Sequence, residues 1–511
     1  MGAADASAPN RKVLTLCAML ATLMQSLDST IANVALPYMQ GSLGASQDQI
    51  NWVLTSYIVA AAIMTSPTGW LATRFGRTRL FVAAVMGFTI ASVLCGLSQS
   101  IGQIVAFRLL QGMFGAALVP LSQAVMFDIY PPEQRGSAMA LWGIGVMVGP
   151  ILGPTLGGWL TENYNWRWVF YINVPVGFAA SFGLLTFLKE TPRSDARFDW
   201  TGFTMLSLGI GAFQMMLDRG DQLDWFGSTE ILVEAALAGI GIYCFVVHLV
   251  LAEKPLIAPA LFRDVNFVIG TVFIFLVGLI LYATLALLTP YLQGLMQYPV
   301  LTAGIALAPR GAGTMLAMFV TGKLIARVNV HALVLFGFGI TIYALHRMMG
   351  FTPDTSEQEI VITGFLQGAS VGFVFVSLST VTFATLSAEL RTQGTSIYSL
   401  MRNLGSSIGI SVTGALLISN THVNHASIVA MVTPFNQALR HGAPARFWDP
   451  LTRHGAAALD AEINRQAMTI AYVDDFKLMM IISIAALPLV LLIRRPKSAA
   501  PADDAHAAVM D

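Results

Sequence analysis

Two charged residues, Asp28 and Arg108, lie inside long apolar segments of the sequence. A charged side chain costs about 2.5 to 3.5 kcal/mol at the centre of a membrane-spanning helix, so it is expected to face a cavity or a partner, or to take up a proton. Counted along their helices, the two residues lie at compatible depths. A nearby cation favours the ionised carboxylate and hence proton release. We therefore predict a proton-coupling pair; the alternative is a structural, hydrogen-bonded carboxyl group.

Other polar side chains occur in similar apolar surroundings and are candidates for a substrate cavity. The sequence leaves two roles open for them, since a polar group within a membrane either binds a ligand or bridges neighbouring helices. These candidates are Gln25, Asn33, Gln111, Gln123, Arg402 and Asn403.

Motifs for enzymatic chemistry do not account for these residues. The sequence contains no His-Glu-x-x-His pair and no phosphate-binding Gly-x-x-x-x-Gly-Lys loop, and its histidines do not cluster as metal ligands do. We therefore predict no catalytic residues, no metal and no cofactor. The sequence also lacks a loop that binds ATP, so any transport by this chain would have to draw on an ion gradient.

The composition indicates where the charged pair must lie. The chain has 511 residues, of which 55% are hydrophobic and only 11% are charged, and its formal net charge is zero. About a quarter of the residues in a soluble domain are charged. The excess apolar surface of this chain is therefore expected to face lipid. A net charge of zero offers no electrostatic case for a nucleic-acid partner.

Segments of about 20 apolar residues are long enough to span a membrane. Lys and Arg concentrate in alternate loops between such segments, which is typical of cytoplasmic loops and predicts an even number of spans with both termini in the cytoplasm. The fold class expected is an all-α polytopic membrane protein. The fourteen candidate spans are 13–36, 50–72, 79–99, 102–127, 136–160, 166–188, 200–217, 229–251, 267–290, 301–325, 332–350, 358–384, 394–419 and 472–494.

An internal repeat organises these spans. Two parallel six-helix bundles related by duplication typically hold a transport site between them near the membrane midplane. A long hydrophilic loop within the second bundle, residues 420–471, is either a solvated connector or a docking surface for an external partner. The patterns that recur at nearly one offset are Gly69 to Arg74 with Gly322 to Arg327, Leu110 to Gly112 with Leu366 to Gly368, and Glu133 to Arg135 with Glu389 to Arg391. The predicted units are a cytoplasmic N-terminus (1–12), a first bundle (13–188), two inserted helices (200–251), a second bundle (267–494) containing the external loop (420–471), and a disordered cytoplasmic tail (495–511).

A glycine-rich pattern marks the fifth candidate span. Glycines three and four residues apart share one helix face and allow a neighbouring helix to approach closely. Pro150 and Pro154 lack backbone donors and are expected to bend the helix. A bent and tightly packed helix could seal a gate; ordinary membrane-helix packing is the alternative. The glycines are Gly145, Gly149, Gly153, Gly157 and Gly158.

Together these motifs resemble those of the major facilitator superfamily, and within it the fourteen-span drug:proton antiporters of the EmrB/QacA type. The glycine pattern is similar to the antiporter motif of that branch, and the segment from Arg108 to Ala116 is similar to its fourth-span motif for proton coupling. The superfamily's cytoplasmic loop motif is matched by Gly69, Arg74, Gly76, Arg77 and Arg79. Thr73 stands where that motif usually has an acid, so the charge relay that the resemblance implies has no acid at this position.

The resemblance implies proton-driven efflux of hydrophobic or amphipathic compounds across the bacterial inner membrane. The match to the EmrB type extends over nearly the whole chain and implies a tripartite pump with a periplasmic adaptor like EmrA and an outer-membrane channel like TolC. The alternative is a proton-coupled exporter dedicated to one metabolite, siderophore or lipid-like compound.

Overall fold

The computed structural model describes residues 8–193, 195, 197–432, 448 and 452–494. Within these ranges the chain is almost entirely helical and contains no β-strand, which confirms the predicted all-α fold. Helices are the expected solution in lipid because they satisfy every backbone polar group within one segment.

The described residues of the first half form nine α-helices. Ser46 begins the second of them with a reciprocal capping box, in which Gln49 N–H donates to the Ser46 hydroxyl and Ser46 N–H donates to the Gln49 side chain. These helices are α1 (Ala8–Leu43), α2 (Gln47–Thr65), α3 (Thr68–Phe75), α4 (Arg77–Leu97), α5 (Ile101–Gly115), α6 (Leu118–Ile129), α7 (Arg135–Asn163), α8 (Trp168–Tyr171) and α9 (Asn173–Phe187).

Eight further α-helices follow in the described part of the remaining chain. The carboxylates of Asp199 and Asp264 each accept a hydrogen bond from a backbone N–H of the first turn that follows, as is typical of helix N-caps. These helices are α10 (Trp200–Arg219), α11 (Thr229–Leu251), α12 (Val265–Pro290), α13 (Val300–Leu324), α14 (Val330–Met348), α15 (Glu357–Thr382), α16 (Ala388–Val429) and α17 (Arg453–Ala486).

Two of the predicted spans are bent. The second is divided into α2 and α3, whose axes meet at 58° around Pro67, because proline cannot donate the next helical hydrogen bond. In α7 the axis turns by 40° between Pro150 and Thr155, as the two prolines of the glycine-rich segment predict.

The number of spans stays a prediction. Among the described residues, 11 helices are long and apolar enough to cross a membrane, or 13 if each bent pair forms one span. The predicted span 200–217 forms α10, which is not among them. The predicted loop 420–471 is helical at both ends, since α16 continues to Val429 and α17 begins at Arg453.

Corresponding helices pack in the same way in the two halves. α1 packs on α7 and α2 on α5, while α12 packs on α16 and α13 on α15. The inserted pair, α10 and α11, pack on each other, and α10 also contacts α2 and α16. The halves meet where α7 packs on α13 and α6 on α16. The equivalent pairs accord with the repeat seen in the sequence.

Candidate functional site: a buried ion pair beside a cavity between the halves

The structure brings Asp28 and Arg108 together. An Nη1 atom of Arg108 on α5 donates to Oδ2 of Asp28 on α1 at 2.6 Å, and both side chains are fully buried. The guanidinium group also donates from Nε to the carbonyl oxygen of Val53 at 3.1 Å and lies 4.2 Å from the ring centre of Tyr57. Because burial makes an unpaired charge costly, the two charges hold each other in place.

Two amides complete the coordination of the carboxylate. Gln111 donates to Oδ1 of Asp28 at 2.8 Å, and Asn173 on α9 donates to the same oxygen at 3.3 Å. Asn173 also donates to the hydroxyl of Ser92 at 3.0 Å. We call Asp28, Arg108, Gln111, Asn173 and Ser92 the Asp28 network.

The sequence predicted only part of this network. Gln111 was a candidate either for a substrate cavity or for a bridge between helices, and its amide bridges α5 to α1 by donating to Asp28. Asn173, Ser92 and the stacked ring of Tyr57 were not predicted. Asn173 and Tyr57 are the signals that could have been read, because each interrupts an apolar segment with a group that can donate or stack.

A cavity lies between the two halves and brings three of the predicted residues together. Gln25 on α1 faces Arg402 and Asn403 on α16 across it, with Thr65 and Ser399 as further polar lining. The apolar lining comes from Ala61, Gly115, Ala116, Val119 and Pro120. The space accommodates about one water-sized group, so a drug-sized compound requires the two halves to separate further.

The other two cavity candidates lie elsewhere. Gln123 is buried, and neither of its amide atoms has a hydrogen-bond partner among the described residues. Asn33 is exposed and donates to the carbonyl oxygen of Ser29 one turn earlier at 3.5 Å.

The glycines of α7 pack against α1. A methyl group at Gly149 would collide with Ser26 and with the backbone N–H of Leu27, and one at Gly153 would collide with Thr30. The outer glycines of the face, Gly145 and Gly157, lie against Met19 and Ile31 of the same helix. A methyl group at Gly158 would meet nothing within 4 Å. The close approach expected of this face therefore exists, with α1 as the neighbour, and Gly158 does not take part in it.

The loop motif joins the halves through an acid outside the motif. Arg77 is bonded to Asp128 at the end of α6, and Arg391 of α16 donates to the other oxygen of the same carboxylate at 2.8 Å. We call Asp128, Arg77 and Arg391 the Asp128 junction. The hydroxyl of Thr73 donates to its own helix, to the carbonyl oxygen of Gly69 at 2.9 Å.

The remaining residues of the loop motif make contacts nearby. Arg74 pairs with Asp195, and Arg79 lies 3.8 Å from the carboxylate of Glu190. Gly76 has a φ of +93° that favours glycine. The α-carbon of Gly69 is so close to Gln393 of α16 that a methyl group would lie 2.7 Å from its backbone.

Within the described residues no group of His, Cys, Asp and Glu side chains could hold a metal ion. A Gly-x-Ser-x-Gly pattern does occur, from Gly368 to Gly372, but its Ser370 lies inside α15 and donates to the carbonyl oxygen of Gln367 at 2.6 Å. A nucleophilic serine of this motif lies on a sharp turn between a strand and a helix. Ser370 lies within a helix and is therefore not a nucleophile of this kind.

Comparisons with known proteins place this architecture in a family. A model of the Major Facilitator Superfamily matches residues 18–422. The multidrug export protein EmrB of Escherichia coli (strain K12) is 38% identical over 427 residues, which cover 83% of each chain. The fatty acid resistance protein FarB of Neisseria gonorrhoeae is 34% identical over 487 residues, covering 94% of this chain and 96% of FarB.

A solved structure shows the same fold. The crystal structure of the human organic anion transporter MFSD10 matches with a TM-score of 0.59 at 15% identity, covering 93% of this chain and 99% of that one. The fold and these similarities define a multi-pass transporter of the inner membrane. The chain belongs to the Major Facilitator Superfamily as an EmrB-type multidrug exporter.

Proposed function

We propose that this protein couples drug efflux to proton entry through Asp28, with no cofactor other than the proton gradient. The observation that carries the proposal is the Asp28 network, because a carboxylate without solvent exposure is held there by three donors from two other helices. Buried titratable groups with defined partners are typical of proton sites in membranes.

Protonation of Asp28 would change the balance of the whole network. The proton neutralises the carboxylate and leaves the fully buried guanidinium of Arg108 without a counter-charge. A buried charge that loses its partner costs about 3 to 5 kcal/mol. This cost favours a movement of α1 relative to α5. When the two helices return to their original arrangement, the charge of Arg108 again favours the ionised carboxylate, and the proton is released.

The cavity between the halves is within reach of this change. Gln25 lies three residues before Asp28, so the two share one face of α1. Gly115 lies one turn after Gln111 on α5 and also lines the cavity. Movement of either helix on protonation therefore alters the cavity, which is the physical basis for exchanging a proton for a drug. Because α7 packs on α1, its glycine face is suited to act as the gate.

The orientation and the partners are part of the same proposal. We place both termini in the cytoplasm, with the Asp128 junction on the cytoplasmic side, and the ends of α16 and α17 near Val429 and Arg453 on the periplasmic side. The name of EmrB, a multidrug export protein, supports a broad range of substrates, and we propose that these are hydrophobic or amphipathic. We propose that a periplasmic adaptor and an outer-membrane channel complete a tripartite pump.

A second candidate is a dedicated exporter of one lipid-like compound. The name of the relative FarB, a fatty acid resistance protein, favours it. A resistance profile of a deletion strain distinguishes the two, since broad export predicts sensitivity to several unrelated compounds and dedicated export predicts sensitivity to one class.

Proteoliposomes test the coupling directly. Asp28→Asn keeps the size and hydrogen-bonding capacity of the side chain but cannot carry the proton, so we expect drug efflux driven by a pH jump to fall to the level of empty liposomes. Asp474→Asn is the matched control, because it removes an exposed acid of α17. Full pH-driven efflux by Asp28→Asn would show that the proton site lies elsewhere.

A further inference from the structure

The two inserted helices, α10 and α11, have no counterpart in the repeat. They pack so closely on each other that a methyl group at Gly209 of α10 would lie 2.9 Å from the backbone nitrogen of Ile242 on α11. In addition, α10 contacts α2 of the first half and α16 of the second. A helix outside both bundles therefore lies against both of them, and its contacts indicate what the inserted pair does.

The end of α10 is fastened to α2 by charged side chains. The hydroxyl of Thr55 donates to the carboxylate of Asp218, and the guanidinium group of Arg219 lies 5.3 Å from the ring centre of Trp52. Gly211, about two turns before Arg219, also lies against a side chain of α2. Contact with the first half therefore continues along the last turns of α10.

The same end of α10 meets α16 through uncharged groups of that helix. The hydroxyl of Ser411 donates to the carbonyl oxygen of Leu217 at 2.7 Å, and Ile408 packs against the apolar cluster that contains Leu217. A methyl group at Gly414 would lie 2.9 Å from the carboxylate of Asp221, which follows α10. One hydroxyl, one aliphatic side chain and one glycine thus form the contact with the second half.

These contacts lie at the end of the cavity between the halves that is remote from the Asp128 junction. Along α16, Arg391 of the junction comes first and the cavity lining follows, and Ser411 lies 20 residues, or about 30 Å, beyond Arg391. The first half runs the other way, from Thr55 through the cavity lining at Ala61 to Arg77 of the junction. The halves are thus joined by the Asp128 junction at one end of the cavity and by α10 at the other.

The two contacts differ in how easily they can be broken. Separation from α2 would remove the donor from the charged carboxylate of Asp218 and take Arg219 away from an aromatic ring. Hydrogen bonds to charged groups are stronger than those between neutral groups, and a cation over an aromatic ring is held electrostatically. Separation from α16 would break one neutral hydrogen bond, and Ser411 could then donate to a carbonyl oxygen of its own helix, as serine does within helices.

We propose that α10 is a spacer between α2 and α16, which stays on α2 and separates from α16 when the halves rearrange. The rearrangement itself rests on the proposed function, in which the two bundles rock against each other around the cavity. When the Asp128 junction opens, the other ends of α2 and α16 must approach each other. A helix that lies between them cannot keep both contacts, and the uncharged contact with α16 is the one that breaks.

Disulfide cross-linking of the full-length protein in proteoliposomes tests the two contacts separately. Thr55→Cys with Asp218→Cys joins α10 to α2, and Asp221→Cys with Gly414→Cys joins it to α16; both pairs should cross-link on oxidation. We expect the cross-link to α2 to leave drug efflux driven by a pH jump unchanged, and the cross-link to α16 to reduce it at least about tenfold. A reductant should restore efflux, which shows that the protein has stayed folded. The background for both pairs has alanine in place of Cys17, Cys95 and Cys244.

Undiminished efflux with the cross-link to α16 overturns the proposal, because α10 then does not need to leave that helix. Arrest of efflux by the cross-link to α2 overturns it as well, because α10 then does not move with the first half. If Asp221→Cys and Gly414→Cys do not cross-link at all, the contact of α10 with α16 is absent and the proposal is wrong.

The yield of each cross-link gives a second readout that does not depend on transport. Asp128→Asn removes the carboxylate that joins the halves at the other end of the cavity, so it should lower the yield of the cross-link to α16 and leave that to α2 unchanged. A lower yield to α2 with an unchanged yield to α16 would contradict the proposal. Absence of proton-driven efflux in the wild type would instead contradict the proposed function, while these yields would still show which helix α10 follows.

Discussion

Asp28 and Asp128 are both held by arginine side chains, but in different settings. Asp28 has no exposed side-chain surface, and its partners, Arg108, Gln111 and Asn173, all belong to the first half. The Asp128 side chain is 23% exposed and is shared between Arg77 of the first half and Arg391 of the second. Adding a proton to Asp28 therefore changes forces within one half, whereas Asp128 senses how the two halves lie relative to each other.

This difference suggests a division of labour. The Asp28 network is suited to detect the proton, because the charge of the Asp28 carboxylate is balanced only by defined partners within the network. The Asp128 junction is suited to hold the halves together while the network is intact, because a single carboxylate satisfies arginines from both. Three nearby contacts support the junction: Ser137 donates to the carbonyl oxygen of Gly322 at 2.8 Å, Thr395 donates to that of Pro120 at 3.0 Å, and the rings of Phe127 and Phe383 lie 4.9 Å apart.

The largest effect is expected inside the Asp28 network. Asp28→Leu leaves Arg108 buried without a counter-charge and should destabilise the protein by about 3 to 5 kcal/mol. Asp28→Leu combined with Arg108→Met removes both charges and should recover most of that loss, without recovering proton coupling. Thermal unfolding in detergent measures both variants. Equal destabilisation of the single and double variants would show that the charges do not depend on each other.

Substitution of the α7 glycines that contact α1 tests whether efflux depends on the position of α1, the helix that carries Asp28. A leucine side chain at Gly149 cannot fit against Ser26 and Leu27, so α1 must move; overpacking of this kind costs about 1 to 3 kcal/mol. We expect Gly149→Leu to reduce efflux by at least about tenfold. Gly158→Leu is the matched control, as open space surrounds that glycine. Similar efflux from the two variants would remove the gate function from this face.

The all-α fold, the repeat and the pairing of Asp28 with Arg108 could be predicted from the sequence, because each depends on local hydropathy or on rare charges at compatible depth. Asn173 and Asp128 could not be assigned to their partners in this way. Asn173 reaches Asp28 only because α9 packs on α1, and Asp128 reaches Arg391 only because α6 packs on α16. Such contacts depend on the placement of whole helices, which hydropathy does not encode.

A smaller effect is expected at the Asp128 junction. Asp128→Asn leaves Arg77 and Arg391 facing each other without a carboxylate between them, which should shift the equilibrium between the two arrangements of the halves by about 1 to 2 kcal/mol, or roughly tenfold. The alkylation rate of a cysteine introduced at Ser137 reports this opening, and it should rise. pH-driven efflux should be slowed but still coupled to protons. Loss of proton coupling in Asp128→Asn would contradict the division of labour between the two acids.

The smallest effect is expected at Thr73, where the superfamily motif usually has an acid. Thr73→Asp adds an exposed carboxylate on α3, which packs against α16. Exposed ion pairs contribute about 0.2 to 1 kcal/mol, so efflux by the single variant should stay within about a fewfold of the wild type. In the Asp128→Asn background the same substitution should restore part of the lost efflux, because it returns a negative charge near the start of α16. Thr73→Ser in that background is the control and should restore nothing. If Thr73→Asp also fails to restore efflux, the Asp128 junction has not taken over the role of the missing motif acid, and the two positions act independently.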